Sequence, residues 1–347
     1  MKTAERTKDW KPAVLSTKAP DVIALLRKVA TGKNHVPVLN CVLAKGGTLT
    51  AYDCAIRLTV KQPAPMKDGL YAYNSKIKQF AKSTIALDEA PVPFAHKDHC
   101  KAEFALDARQ ATAFRAALLA CSFAHSTDAT RYILTGVCVD LDNHCLVATD
   151  GKRLHRVELP DILTGAGKYI LPSALVALLL AEKSAEQPLV LRLGEESCEI
   201  EDAFVSISAN LIQGTYPNYR QVIPAECKHS CVCITQHIAQ AVTDVAPFAT
   251  ADAECTATSL RLAFTKTELT VIAENGDKQF RRKATVECTE SVGTPVAKLG
   301  VDPDFMQEAL AATMDTVVHI HAIAECSPLV LRTDSGFTAV VMPMRLS

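Results

Sequence analysis

Short segments in which apolar and polar residues alternate occur in pairs at three places along the chain. The pairs are residues 49–53 with 56–60, 146–150 with 154–158, and 269–273 with 280–286. Alternation with a period of two predicts β-strands that bury one face. Asp150-Gly151 separates the second pair and Asn275-Gly276 the third, and both dipeptides favour tight turns. The pattern therefore predicts three β-hairpins.

Each hairpin is preceded and followed by a segment with helical periodicity. The preceding segments, which place apolar residues at i, i+3, i+4 and i+7, are residues 21–31, 108–123 and 235–248. The following segments are residues 74–83, 172–183 and 302–313. In the last of these, Asp302 is a good helix cap and Pro303 suits the first helical position. Further strands are predicted at residues 189–193, 204–209, 329–332 and 338–343.

The order strand, helix, hairpin, helix, strands thus recurs three times, in units of roughly 115 residues. We place the domains at residues 1–102, which begin with a polar extension of about 11 residues, at 103–226 and at 227–347. The predicted fold class is α+β, with the helices collected on one side of antiparallel sheets.

Composition narrows the class of protein. Hydrophobic residues make up 48% and charged residues 22%, as in ordinary globular proteins. The net charge of -1 argues against coating nucleic acid by bulk charge, although a locally basic surface stays compatible with it. Residues 1–11 lack the apolar segment of a secretory signal, and the longest apolar run, residues 174–181, is too short to span a bilayer. We expect a cytoplasmic protein whose 13 cysteines are reduced thiols.

Several candidate chemical motifs are incomplete. His96, His99 and Cys100 have no fourth ligand at a typical spacing for a metal site. Residues 165–169, Gly-Ala-Gly-Lys-Tyr, lack the first glycine and the final Ser or Thr of a phosphate-binding loop. Cys231 and Cys233 should face the same side of a strand and pack in the core. We expect no metal, no cofactor and no catalytic residue, so that the protein is not an enzyme.

Five further segments, in this order of specificity, carry a family resemblance: residues 340–346 (VVMPMRL), 148–154 (ATDGKRL), 214–224 (GTYPNYRQVIP), 36–39 (VPVL) and 131–137 (RYILTGV). The chain after about residue 12 resembles the beta subunit of bacterial DNA polymerase III, the beta sliding clamp family. The five segments fall in the family's order on the threefold repeat.

The resemblance implies the DNA clamp fold in a head-to-tail homodimer of three-domain subunits. Helices would line a central hole and antiparallel sheets would lie outside. Twelve helices at about 9 Å spacing leave a hole of roughly 25 Å, enough for duplex DNA about 20 Å wide. The implied function is that of a processivity factor, nucleoid-associated during replication, which encircles double-stranded DNA without sequence specificity. It would tether the replicative DNA polymerase and other replication and repair proteins.

The resemblance also implies a pocket for short linear peptides of the polymerase and the clamp loader, between the second and third domains. Its matching positions are Leu134, Thr149, Gly151, Arg153, Leu154, Pro217, Val222, Pro328, Val340, Met342, Pro343, Met344 and Arg345. Apolar residues and methionines suit an adaptable groove. The alternative is that Val340 and Met342 are core residues of the last strand.

DNA would meet a modestly basic lining, because a ring holds DNA by topology and strong contacts would hinder sliding. The candidate cations are Arg27, Lys28, Lys33, Lys76, Lys78, Lys82, Arg109 and Arg115. The alternative is that they are solvated faces of surface helices. The third domain's helices carry no Lys or Arg but do carry acidic residues, so either the lining is uneven or its inner face is assigned wrongly there.

Two other functions stay open at this point. One is a divergent clamp of a mobile element or phage, with its own partner set. The other is an enzyme built on a repeated α+β fold. A clamp should elute in gel filtration as a dimer of 37.4 kDa subunits, which distinguishes it from a monomeric enzyme.

Overall fold

The computed structural model describes residues 21–61, 67–74, 79–85, 100–181, 187–225, 227–249, 259–274, 281–294, 296 and 298–345. Within these ranges the helices are α1 (Val22–Val29), α2 (Ala108–Ser122), α3 (Ser173–Ala181), α4 (Thr235–Val245) and α5 (Pro303–Ala312). They confirm five of the predicted helices. No helix in this part of the chain has both the length and the apolar character needed to cross a membrane.

Antiparallel strands make up most of the remaining described chain. In the first third they are β1 (Cys41–Lys45), β2 (Thr48–Tyr52), β3 (Ile56–Val60), β4 (Gly69–Asn74), β5 (Gln79–Lys82) and β6 (Cys100–Leu106). In the middle they are β7 (Gly136–Asp140), β8 (Cys145–Thr149), β9 (Arg153–Glu158), β10 (Lys168–Pro172), β11 (Leu189–Gly194), β12 (Ser197–Glu201) and β13 (Val205–Asn210). In the last third they are β14 (His229–Ile234), β15 (Leu260–Phe264), β16 (Glu268–Glu274), β17 (Arg281–Glu287), β18 (Glu290–Gly293), β19 (Leu299–Val301), β20 (Val317–Ala322), β21 (Leu329–Arg332) and β22 (Phe337–Val341).

Three of the described helices, α1, α2 and α5, begin at an aspartate whose side chain accepts a hydrogen bond from a free backbone N–H group. Asp107 accepts a hydrogen bond from the backbone N–H of Gln110 at 2.8 Å, and the Gln110 side chain accepts one from the N–H of Asp107 at 3.2 Å. This reciprocal capping box stabilises the start of α2. Asp302 likewise accepts from the N–H of Asp304 and of Phe305, which defines the start of α5.

The sheets run across the predicted repeat units. The first sheet has the order β5-β4-β1-β2-β3-β13-β12-β11-β6, and the second has the order β10-β7-β8-β9-β22-β21-β20-β14-β18. A smaller sheet has the order β17-β16-β15-β19. The joins are the pairings of β3 with β13 and of β9 with β22. Neighbouring units therefore share continuous backbone hydrogen bonding.

The helices form a single row on one side of these sheets. Within the described residues α1 contacts α3, α3 contacts α2, α2 contacts α5, and α5 contacts α4. Two large apolar clusters fill the space between helices and sheets, one around Leu26, Phe114 and Leu118 and the other around Val242 and Leu310. Side chains alternate along a strand, and the cluster on the other face of the second sheet contains no residue of the five described helices.

The prediction of a helix at residues 74–83 was wrong. Asn74 ends β4, and Gln79–Lys82 forms β5, which pairs antiparallel with β4. The rings of Tyr73 and Phe80 meet edge to face with their centres 5.6 Å apart, and such pairs stabilise a two-stranded contact. The predicted boundary at residue 102 falls inside β6, and the domain limits stay a prediction.

The first unit is also shorter than the other two. After the hairpin and its next strand, the second unit continues through residues 173–228, between β10 and β14, and the third through residues 302–347, after β19. The corresponding stretch of the first unit, residues 75–99 between β4 and β6, is much shorter than either. It is shorter even than α3, β11, β12 and β13 taken together without their turns.

Candidate functional site

A small apolar cluster lies on the face of the second sheet that carries no helix. The pairing of β9, β22 and β21 places Leu154 beside Val340 and Val340 beside Val330. These side chains are 1%, 1% and 3% exposed. Their neighbours along the strands, such as Ala339, point to the helix side instead. The cluster thus sits where the second predicted unit joins the third.

Two tyrosines and a short helical turn wall this cluster. Tyr216 and Tyr219 are buried in it, and Leu134 packs against it from the 3-10 turn Ala129–Leu134. A second 3-10 turn, Tyr219–Val222, follows on the other side. The structure therefore brings Leu134, Leu154 and Val340 together, and their role as a peptide pocket stays a prediction.

A buried carboxylate holds Tyr219 in place. The Tyr219 hydroxyl donates to Oδ2 of Asp140 at 3.0 Å, the Asn143 side-chain amide donates to the same oxygen at 3.0 Å, and Nζ of Lys168 lies 3.2 Å from it. Burial opposes ionisation of Asp140, but the hydrogen bonds from Asn143, Lys168 and Tyr219 outweigh it and lower the pKa of this carboxyl. Lys168 therefore serves as an ion-pair partner on β10, not as part of a phosphate loop.

The turn between β8 and β9 forms the next edge of the site. Oδ1 of Asp150 accepts hydrogen bonds from the N–H groups of Lys152 at 2.8 Å and Arg153 at 3.0 Å. Gly151 has φ of +86°, a conformation that other residues rarely adopt. Thr149 donates through its hydroxyl to the Arg153 carbonyl at 2.6 Å. The Asp-Gly dipeptide is a structural turn, as predicted, and it presents Thr149 and Gly151 next to the cluster.

Arg153 differs from the other predicted pocket residues. Its guanidinium contacts Oδ2 of Asp150 at 3.1 Å, forms a close ion pair with Glu308, and lies 4.4 Å from the ring centre of Phe305. Burial lowers the pKa of Arg153, while the neighbouring Asp150 raises it. Because Glu308 and Phe305 belong to α5, the side chain links β9 to that helix. Its charge is already matched by two carboxylates.

The end of the chain runs along this edge. The Met342 N–H donates to the Lys152 carbonyl, and the Met344 N–H donates to the Gly300 carbonyl, both at 2.9 Å. Met342 is 38% exposed and Val222 is 42% exposed. Two other predicted rim residues are exposed, Pro217 and Arg345. Three more are half-buried, namely Pro328, Pro343 and Met344. The alternative interpretation of the sequence made Val340 and Met342 core residues of the last strand. Val340 is buried, as that interpretation requires, but Met342 is exposed.

Sequence reasoning missed several residues of this site. Tyr132 is 56% exposed, and a Cβ on Gly214 would lie 3.6 Å from its hydroxyl, so it stands at the rim. Tyr219 and Val330 belong to the cluster itself. Tyr216 and Tyr219 lie in the segment 214–224 that carries the family resemblance. Their spacing of three residues was the sequence signal that could have assigned them to the pocket.

The candidate DNA-facing cations fall into two groups. Arg27 and Lys28 are exposed at the end of α1, Lys33 is exposed just after it, and Arg109 is exposed in the first turn of α2. The Arg27 guanidinium lies 3.9 Å from the ring centre of Tyr73 and donates to its hydroxyl. These four cations are accessible on or beside the helix row.

The remaining candidates do not fit the prediction. Arg115 is 2% exposed, pairs with Oδ2 of Asp202 at 2.9 Å and donates to the Gln187 carbonyl, so it is a core ion pair and cannot face DNA. Lys82 is exposed but lies on β5, since the predicted helix is absent. Lys76 and Lys78 lie outside the described residues, as do His96 and His99.

The helix row is less basic than expected. Its exposed positions on α3 are Ala174 and Ala177, and exposed acidic residues stand at Asp244 on α4 and Asp304 on α5. Exposed cations in the described helices occur only on α1 and α2. The uneven charge predicted from the sequence is therefore present along the helix row, with cations on α1 and α2 and acidic residues on α4 and α5.

Comparisons with known proteins agree with this architecture. Residues 110–218 match the family described as DNA polymerase III beta subunit, central domain. A beta sliding clamp of Chlamydia pneumoniae is 27% identical over 229 residues, which cover 65% of this chain and 61% of that protein. The chain thus spans less than two thirds of the length of such relatives in sequence.

Similar solved structures cover more of the chain. A DNA polymerase sliding clamp from Pseudomonas aeruginosa superimposes with a TM-score of 0.78 at 19% identity, covering 94% of this chain and 97% of that one. One from Bacillus subtilis gives 0.77 at 16% identity, covering 94% and 96%. At such identities the likeness establishes the sliding-clamp fold. The family match adds that residues 110–218 are similar to the central domain of the DNA polymerase III beta subunit.

Proposed function

We propose that this protein is a DNA sliding clamp, a non-enzymatic ring that encircles duplex DNA and tethers a DNA polymerase to it. The observation that carries the proposal is the single row of helices backed by sheets that continue from unit to unit. Such a layer can close only by curving, and the helices then line the hole. The matched relatives are bacterial beta sliding clamps, which does not favour the alternative of a mobile-element or phage clamp.

An open sheet edge supports closure by a second copy. The outer edge of β3 is covered by β13, and that of β9 is covered by β22. The equivalent strand β17 pairs with β16 on one side, and the described residues of the chain supply no strand for its other side. An uncovered edge tends to pair with another chain. In a head-to-tail dimer the first unit of the second copy would cover it.

The charge distribution suits a sliding contact. Exposed cations on α1 and α2 attract phosphates without reading bases, while Asp244 and Asp304 keep the lining of the third unit weakly repulsive. DNA would therefore run closer to the first two units. Few ionic contacts leave low barriers between successive positions along the duplex.

The apolar cluster at the join of the second and third units would receive partner peptides. Its floor is formed by Leu154, Val330 and Val340, and its exposed rim includes Val222 and Met342. A polymerase or clamp-loader segment with apolar anchors could bury those rim residues. Methionine adapts to anchors of different shape, which suits a site with several partners.

A topological experiment tests the proposal. Protein loaded on a nicked circular plasmid should stay bound through gel filtration at high salt and dissociate once the plasmid is cut to a linear form. Electrostatic binding alone would be lost at high salt from both forms. Retention on linear DNA, or a monomer in light scattering at every concentration, would contradict encirclement by a dimer.

A paired substitution tests the pocket. Met342→Ala should weaken binding of a polymerase-derived peptide by roughly tenfold, the effect of losing about 1.4 kcal/mol of apolar contact. Met314→Ala is the matched control, because Met314 is also an exposed methionine, at 49%, but follows α5 and does not belong to the apolar cluster. Equal peptide affinity of the two variants would remove Met342 from the pocket.

A further inference from the structure

Three cysteine thiols converge inside the third unit. Cys231 and Cys233 lie two residues apart on β14 and are both fully buried, while Cys288 follows β17 directly and is 9% exposed. Their Sγ atoms all lie within 4.8 Å of one another, and those of Cys233 and Cys288 are 3.8 Å apart. The sequence predicted that Cys231 and Cys233 share a face, but it did not indicate the third thiol.

The separation of the sulfurs fits shared coordination of one ion. Two thiolates bound at about 2.3 Å to the same ion lie about 3.8 Å apart at tetrahedral angles and about 4.0 Å apart at trigonal angles. A disulfide needs an S–S distance of about 2.05 Å. The observed 3.8 Å between Cys233 and Cys288, the length of a hydrogen bond between two thiols, excludes a disulfide and already equals the separation that shared coordination requires.

The backbone holds these thiols in register. The Cys288 N–H donates to the Thr267 carbonyl at 2.8 Å, and the N–H of the next residue, Thr289, donates to the Val232 carbonyl at 2.9 Å. The second bond attaches the connection between β17 and β18 to β14, between the two strand cysteines. The site is thus built on paired strands, which keeps the sulfurs close before any ion arrives.

We propose that Cys231, Cys233 and Cys288 form a binding site for one thiophilic d10 metal ion, Cu(I) or Zn²⁺. Soft thiolate ligands select these ions over Mg²⁺ or Ca²⁺. Three sulfurs complete the shell of Cu(I), whereas Zn²⁺ takes a fourth ligand. The ion would join β14 to the end of β17, the strand whose outer edge is open.

A buried histidine stands close to this site along the strand. His229 lies on the same face of β14, two residues before Cys231, and is 1% exposed. Neither of its ring nitrogens has a hydrogen-bond partner among the described residues, and its ring packs edge to face against Phe264. Its ring nitrogens do not belong to the group of ligand atoms that lie within 4.8 Å of one another, so His229 would have to change its rotamer to supply the fourth ligand that Zn²⁺ needs.

Binding must release protons. A cysteine binds a metal ion as the thiolate, so uptake of one ion by three thiols releases up to three protons and changes no oxidation state.

The test uses the full chain, reduced and free of oxygen. To remove background from other thiols, the exposed cysteines of the described residues, Cys54, Cys100, Cys227 and Cys326, are changed to Ser, as is Cys255, which lies outside those residues. Cu(I) and Zn²⁺ are then titrated separately against a chromogenic chelator. We expect one ion per chain, with X-ray absorption showing sulfur neighbours at about 2.3 Å, three for Cu(I), and an added nitrogen for Zn²⁺.

Substitutions assign the site. Cys288→Ser should reduce affinity by more than about 100-fold, beyond the effect of removing an outer-shell partner. Cys198→Ser is the matched control, because Cys198 is buried in the first sheet and should not change affinity. A substitution at the site could itself cause misfolding, so a second measurement keeps all three site cysteines. In the background protein, bound ion should slow the alkylation of Cys288. No retained ion, equal affinity of Cys288→Ser, or unchanged alkylation would overturn the proposal.

Discussion

Replacing Tyr219 by Phe should loosen the wall of the peptide pocket. The change removes only the Tyr219 hydroxyl. This hydroxyl donates to Asp140 and lies 3.2 Å from Sγ of Cys145. The ring stays in the apolar cluster. A hydrogen bond to a charged group contributes about 1.5–3 kcal/mol, and Asp140 keeps its bonds from Asn143 and Lys168. We therefore expect a loss of about 2 kcal/mol, or roughly 8 °C in melting temperature for a unit of about 115 residues.

The loss should depend on pH in a defined way. The pKa of Asp140 is lowered in the folded protein, so its contribution to stability is present above the ordinary Asp pKa and is lost as pH falls through the folded value. Tyr219→Phe raises the pKa of Asp140 toward its ordinary range. The difference between the two proteins should thus be full at pH 7 and should shrink below about pH 4.

Calorimetry at pH 7 and in acid, with hydrogen exchange of the amides in Tyr219–Val222, measures both effects. Peptide affinity should fall along with amide protection, because this turn carries Val222. Tyr216→Phe is the matched control, since the buried Tyr216 hydroxyl makes no side-chain hydrogen bond in the described part of the chain. If Tyr219→Phe proves as stable and as protected as the control, Asp140 does not position this wall.

Three more outcomes follow from buried and exposed charges. Arg115→Ala should cost about 3–5 kcal/mol in urea unfolding because it strands Asp202 in the core, whereas removing both partners together should cost less. Arg109→Ala should leave stability within about 0.5 kcal/mol but reduce the salt dependence of DNA binding by about one ion. His155, whose pKa burial lowers to about 4, should make the protein less stable by about 3 kcal/mol as pH falls from 7 to 4, since the unfolded side chain takes up a proton near 6.5. Calorimetry of His155→Leu should show a flatter pH dependence, and an unchanged slope would contradict this origin.

Local patterns predicted the elements that depend on neighbours in the chain. The start of α2 at Asp107 and the turn at Asp150-Gly151 are both made by side chains within three residues, so the sequence contains their causes. The segment at residues 74–83 has helical spacing at Ile77, Phe80 and Ala81, yet β5 forms there because pairing with β4 outweighs a weak helical preference.

In the candidate site, too, contacts between residues far apart in the sequence could not be predicted. Leu154 and Val340 were predicted from the resemblance, and the structure places them side by side. The partners Tyr219 and Asp140 are 79 residues apart, and Arg115 and Asp202 are 87 apart, so no spacing in the sequence indicates either contact. Arg115 therefore looked like a solvent-facing cation of an amphipathic helix.

The outer edge of β17, which no described strand covers, should decide how long a proposed dimer stays closed. β13 covers the equivalent edge of β3 through five residue pairs, and a partner strand that forms fewer pairs with β17 would make a weaker seam. Because affinity differences between related interfaces appear mainly in the rate of dissociation, the number of pairs at this edge should set how soon the two copies separate.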